Sequence, residues 1–301
     1  MASSDGLARR GLLIAGVGLL AGCSGSSVGQ QPSSSGTPSA PGTSGTPRAP
    51  SKPSAPASTP AVALPSVRTW SPGSGEIQPA AKRAAVAAVV DLLGGSRSVV
   101  EVIDAQYGGI LGDSASVLVP CRVYTISGGR VVTGGTTVDV RLSKTRGSWR
   151  VTSTHPAQPG PAATGLSAAA RQVLASDRIA LPPASAADIR SGQVHDSVLT
   201  TMLQLAETYR IGVSVIRSGH PLNVFGTNRP SDHPRGRAFD TWQIDGHAVV
   251  APTTSRSLIT SYMRATEALG SYNVGGPYQL SGSAFFSDQT HHDHVHAGFQ
   301  S

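Results

Sequence analysis

The chain closes on HHDHVHAGF, residues 291–299. Four of the nine histidines of the protein, His291, His292, His294 and His296, fall in this one stretch. A solvated tail has no need of such crowding, and an apolar core rejects most imidazoles. Spacing adds a second clue. On a strand, residues two apart share a face, so His294 and His296 point together while Asp293 points the other way. One short strand can thus set a metal ligand beside a base. Phe285, Phe286 and Phe299 flank the stretch and argue against a solvated tail.

A second block lies upstream: SDHPRGRAFD, residues 231–240. His233 and Asp240 are separated as a loop entering a strand would separate them, which can return both side chains to one face. A catalytic zinc ion takes three such protein ligands and keeps a fourth position open. Each block alone has a plainer reading. His233 with Asp240 fits a surface turn with a capping carboxylate. The terminal histidines fit an exposed strand, or a lipoprotein that binds and delivers metal. A delivery site needs no His233–Asp240 partner, whereas an enzyme does.

Taken together, the two blocks resemble those of the LAS zinc peptidases, which include the M15 D-alanyl-D-alanine carboxypeptidases, the murein endopeptidases and the hedgehog-type fold. SDHPRGRAFD is similar to their Ser-x-His-x-x-Gly-x-Ala-x-Asp motif. The closing stretch is similar to both acid-x-x-His (Asp293, His296) and His-x-His (His294, His296) endings. The resemblance covers the C-terminal half only. It implies Zn²⁺ held by His233, Asp240 and His296, with His294 or Asp293 as base, and cleavage of peptidoglycan stem peptides as endopeptidase or D,D-carboxypeptidase. It also implies substrate contacts from His220, His291, Arg217 and Arg235. One departure is Ser218-Gly219-His220-Pro221, where Pro221 stands in the place of a carboxylate-binding Arg; Arg217, Arg229 or Arg235 would have to substitute. A non-catalytic peptidoglycan-binding module of the same fold is the alternative, and the retained base position argues against it.

The other end of the chain sets the location. Arg9-Arg10, an apolar run from Gly11 to Ala21, and Leu20-Ala21-Gly22-Cys23 look like a bacterial lipobox of actinobacterial type. This implies residues 1–22 as a lipoprotein signal peptide, lipidation of Cys23, and anchoring on the extracytoplasmic face of the cell membrane. Residues 23–75 are then a Pro/Ser/Gly linker, too poor in apolar surface to fold, that lets the anchored protein reach well above the membrane. The net charge of +7 suits an anionic lipid or wall surface. Aromatic content of 5 % and the lack of a dense Lys/Arg block argue against nucleic acid as a partner.

Between linker and motifs the pattern predicts two small α+β domains. Residues 76–156 begin with a helix whose Val86, Val89, Val90 and Leu93 recur at helical spacing. Alternating strands follow through VLVPCRVYT, TTVDVRLS and SWRVTST, with Cys121 packing as a small hydrophobe. The shape is loosely similar to cystatin-like or NTF2-like modules, and no catalytic constellation is apparent in it. A Pro/Gly break at 156–165 leads to residues 161–301, expected to form a monomeric zinc-peptidase-like domain with an antiparallel sheet. It includes helices over LSAAARQVLAS, DSVLTTMLQLAETYR (with Asp196 as N-cap) and SRSLITSYMRATEAL, and a buried strand IGVSVI.

Overall fold

In the computed structural model the described residues are 62–300. The leader, Cys23 and most of the linker lie outside them, and no helix among the described residues is long and apolar enough to cross a membrane. Trp70, which composition places in the linker, packs against the first core.

Helix α1 (Pro79–Leu93) starts on a proline, whose fixed φ suits a first helical turn, and stops at Gly94. Its inward face keeps most of the expected stripe, with Val86 and Val89 buried and Leu93 packed partly buried against the core, and adds smaller residues to it. Ala81, Lys82, Ala85, Val86 and Val89 are buried, and Val90 is 40 % exposed. The small alanines let the helix lie close on a sheet of β1 (Ser98–Val102), β2 (Gln106–Leu111), β3 (Ser114–Ser127), β4 (Arg130–Thr145) and β5 (Ser148–Pro156). Every pairing in this sheet is antiparallel, in the order β1-β3-β4-β5 with β2 also against β3. Val117, Val119 and Cys121 of β3 face Val138 and Val140 of β4 in one apolar cluster that excludes the second module.

The second module strings together α2 (Ala168–Ala175), β6 (Ile179–Ala180), α3 (Pro183–Arg190), α4 (Asp196–Thr208), β7 (Ile211–Val213), β8 (Ala238–Ile244), β9 (His247–Ala248), α5 (Arg256–Ala268), β10 (Asn273–Gly275), β11 (Phe285–Phe286) and β12 (Val295–Gly298). The sheet order is β11-β10-β12-β8-β7-β6, with β9 on β8. The centre, β10-β12-β8-β7, is antiparallel, as expected of the whole sheet. Both edges, β6 against β7 and β10 against β11, are parallel. Parallel neighbours need a crossover; α3 and α4 provide one between β6 and β7. At the start of α4 the N-cap is His195 rather than Asp196, which is the first helical residue and accepts a hydrogen bond from Ser167 Oγ at 2.7 Å. Strand β7 ends at Val213, but the chain stays buried to Ile216 beside β8 through Ser214 N–Asp240 O and Asp240 N–Val215 O bonds of 3.0 and 2.9 Å.

The protein is therefore mixed α+β, with one antiparallel and one mixed sheet and neither closed into a barrel. The two apolar clusters are separate, yet the described residues of both modules fall within one compact unit. Helix α3 of the second module packs on β3 and β4 of the first.

Candidate metal centre

Strand register brings the two sequence blocks together. Asp240 on β8 lies directly across from His296 on β12, so the two side chains stand on one face within reach of each other. His296 is flanked on its other side by Gly275 of β10. A Cβ there would lie 2.5 Å from Phe286 and 2.8 Å from His291, so only glycine leaves room beside the imidazole.

His233 enters from a single 3₁₀ turn, His233–Arg235, that leads into β8. Gly236 ends this turn at φ 69°, with its N–H donating to His233 O at 2.8 Å. A side chain is strained at that φ, and a Cβ would also meet Gln193 O at 2.0 Å. That accounts for the glycine in SDHPRGRAFD. The His233 Nδ1–H donates to Ile216 O at 2.8 Å. A carbonyl can only accept, so Nε2 keeps its lone pair and is aimed at the centre.

Three atoms converge there: His233 Nε2, Asp240 Oδ1 and His296 Nδ1. Their separations are 3.2, 3.0 and 3.1 Å. All three residues are buried, at 1, 1 and 7 % exposure. Ligand atoms at zinc bond lengths of about 2.0–2.1 Å in tetrahedral geometry lie about 3.3 Å apart. The donor set, two imidazoles and a carboxylate, is also one zinc accepts, so these residues fit the ion. His220, His233 and Asp240 make a looser group, with ligand atoms within 4.8 Å of one another. The His220 ring stacks on His233 at 4.1 Å, and its Nδ1–H donates to Pro221 O at 2.9 Å, which leaves Nε2 free. The His233–Asp240–His296 triangle is the tighter of the two groups, and His220 stands beside it.

His294 precedes β12 and faces the same centre, Nε2 being 3.8 Å from Asp240 Oδ1. Its Nδ1–H donates to Asp293 Oδ1 at 2.6 Å. The strand expected over this stretch begins only at Val295; Asp293 closes the 3₁₀ turn Thr290–His292 with helical φ/ψ, so the turn rather than strand alternation carries its side chain away, and its second oxygen accepts from Lys82 Nζ at 2.6 Å and Tyr107 N at 3.1 Å. The order is thus carboxylate, imidazole, centre: Asp293 orients and His294 presents.

Charge states follow from these neighbours. Burial would raise the Asp240 carboxyl, but His233 and His294 hold it well below the usual range. Burial likewise opposes ionisation of Asp293, and Lys82 and His294 outweigh it. Burial pushes His296 down to about 4 and His220 well below an ordinary imidazole. Both therefore keep a free lone pair at neutral pH, as ligation requires. For His294 burial acts downward, but Asp240 and Asp293 prevail and the pKa is raised; a divalent cation alongside would act in the opposite sense.

Over the triangle lies a cavity of about 290 Å³, lined by both modules, including Tyr107, Phe225, Arg229, Phe286 and His291. It shares Leu111, His220, Val224 and Phe225 with a groove of about 920 Å³. Of the expected substrate contacts, His220 and His291 line the cavity, the latter with Nδ1 2.7 Å from Asp288 Oδ1. Arg217 lines the groove, but its guanidinium is engaged by Asp188 at 3.5 Å and by Pro159 O at 3.3 Å. Arg235 is the exception. It is half-exposed, pairs with Asp232 at 3.7 Å and lines neither space, because the 3₁₀ turn that aims His233 inward turns Arg235 outward. Arg229 is the arginine at the cavity.

Sequence reasoning passed over the residues of the first module that reach this site. Lys82 is fully buried between Glu76 and Asp293, with which it pairs. A second group of potential metal ligands, Glu76, His292 and Asp293, therefore already has a cation between its carboxylates. Gln106 Nε2 donates to Asp240 Oδ2 at 2.6 Å, and Gln106 Oε1 accepts from Ser214 Oγ. For Lys82 a signal existed: it shares a helix face with Ala85, Val86 and Val89, a charge on an apolar stripe. Gln106 offered none. No family model, curated protein or solved structure matches the chain.

Proposed function

We propose that the protein is a zinc-dependent peptidase, anchored to the membrane through Cys23, that hydrolyses peptide bonds in the stem peptides of peptidoglycan. The observation that carries this reading is the triangle of His233, Asp240 and His296 beside an imidazole whose far nitrogen is held by a carboxylate. Bound zinc would supply Lewis acidity and lower the pKa of a coordinated water. His233 and His296 offer neutral nitrogens, and Asp240 offsets positive charge. His294 Nε2 is the atom poised to accept a proton in the cavity, and Asp293 keeps its Nδ1 protonated so that Nε2 stays available. Asp293 has both oxygens engaged, by His294, Lys82 and the Tyr107 N–H, which supports His294 rather than Asp293 as the base. The substrate class rests on the likeness of the two sequence blocks to those of the LAS enzymes.

The test is metal analysis of the full chain, followed by digestion of purified peptidoglycan with products read by mass spectrometry. One zinc per chain and metal-dependent release of cleaved stem peptides are expected. His294→Ala should keep the zinc and lower turnover about 10²–10⁴-fold, with Asp293→Asn milder. Stoichiometric zinc without cleavage of any wall peptide would leave a binding module.

A further inference from the structure

Both carboxylates at the centre divide their oxygens between the modules. Asp240 turns Oδ1 to the two imidazoles, while Oδ2 accepts from Gln106 of β2. Asp293 turns Oδ1 to His294, while Oδ2 accepts from Lys82 of α1 and from the Tyr107 backbone. Among the described residues, no group of the second module hydrogen-bonds either outer oxygen. Gln106 is in turn held through its carbonyl by Ser214, and Lys82 by Glu76 and the Tyr107 ring, 5.1 Å away. Tyr107 is anchored through its hydroxyl to Ile77 O and Gln78 O, at 2.9 and 3.1 Å. The first module thus carries none of the proposed ligands and yet sets the rotation of two side chains on which the centre depends. Nor does it plug the site, since it forms a wall of the cavity over the triangle.

We propose that the first module is the positioning half of this centre, Gln106 fixing the ligand carboxylate of Asp240 and Lys82 fixing, through Asp293, the ring of His294. This rests on the zinc reading above and extends it to both modules. Partners in the outer shell of a metal site typically account for about 10–100-fold in affinity or activity.

The experiment uses the full chain. Gln106→Ala should weaken zinc binding about 10–100-fold in competition with a chelator, while the exposed control Arg130→Ala leaves it unchanged. Lys82→Met is combined with Glu76→Gln, so that one fewer buried carboxylate is stranded. This variant should retain one zinc, lose about tenfold or more in kcat with KM unchanged, and release His294 from its single Nδ1–H tautomer in nitrogen-15 NMR spectra. Unchanged zinc affinity in the first variant together with an unmoved His294 tautomer in the second overturns the proposal. Higher turnover in either also overturns it, making the module a cover that lifts away. If the double variant does not fold, Gln106→Ala decides alone. A wild-type chain that binds no zinc sinks the metal reading instead, and the His294 tautomer in metal-free protein still decides the Lys82 half.

Discussion

The first module buries one lysine, Lys82, whereas the second buries His233, His294, His296, Asp240 and Asp293 around one point. Another buried carboxylate of the first module, Asp139, is closed locally by Ser116 and Arg141 at 2.6 and 2.7 Å. Lys82 is different, because Asp293 lies across the junction. A buried cation is tolerated only with a partner, and here half of that partnership belongs to the other module. The apolar cores are private to each module, but the polar network is shared. The lesson is that a module without a recognisable site of its own can hold half of the orientation of one.

The largest effect expected from disturbing this arrangement comes from the side that supplies ligands. His233→Ala removes a vertex of the triangle and should abolish both stoichiometric zinc and hydrolysis, as measured by elemental analysis and peptidoglycan digestion. Retention of the metal in that variant, with loss on replacing His291 and His292, would move the site to those histidines and favour metal delivery.

The next effect comes from the other side. Lys82→Met alone strands Glu76 and Asp293 as buried carboxylates and should cost about 3–5 kcal/mol in urea unfolding. Arg130→Met, at an exposed hairpin, should stay within about 0.5 kcal/mol. A small loss at Lys82 would mean that the junction opens readily to water, and the contrast between private cores and shared polar network would weaken.

The smallest effect sharpens the comparison through pH. Asp104, between β1 and β2, has its carboxyl raised to about 7, chiefly by burial, with Lys82 opposing and Asp293 adding. A raised carboxyl pKa makes a stability contribution that is fully present below the unfolded value near 4 and lost as pH rises through about 7. Asp104→Asn should therefore stabilise the protein by about 1–3 kcal/mol at pH 8 and by almost nothing below pH 4. Unfolding curves at the two pH values measure it, and equal effects at both would show that burial at the junction does not raise the Asp104 carboxyl.

The periodic elements were legible. Helices α1, α4 and α5 and strands β3, β4 and β5 follow from runs of apolar spacing, because a face must be buried wherever it forms. Short elements were not: β6, β9 and β11 have two residues each, too few for any period. Of the α1 stripe, Val86, Val89 and Leu93 face the core as their spacing suggests and only Val90 does not, because close packing on the sheet brings Ala81 and Ala85 inward instead.

For the centre, residue type and spacing drew attention to the two blocks, and the resemblance to the LAS motifs pointed to His233, Asp240, His294 and His296 within them. The approach of His233, Asp240 and His296 to within 3.2 Å of one another, with His294 Nε2 3.8 Å from Asp240, depends on β8 pairing with β12, a contact between distant segments. The hydrogen bonds of Asp293 and His294, on which our proposal of His294 as base rests, exist only in the tertiary structure. Asp293 sits in the turn before β12, where the alternation expected from the sequence does not apply, and no local pattern says that its outer oxygen meets Lys82, 211 positions away. Local pattern encodes which face a side chain takes. Which charge it meets there depends on how two separately cored modules are docked, and no period in the sequence records that.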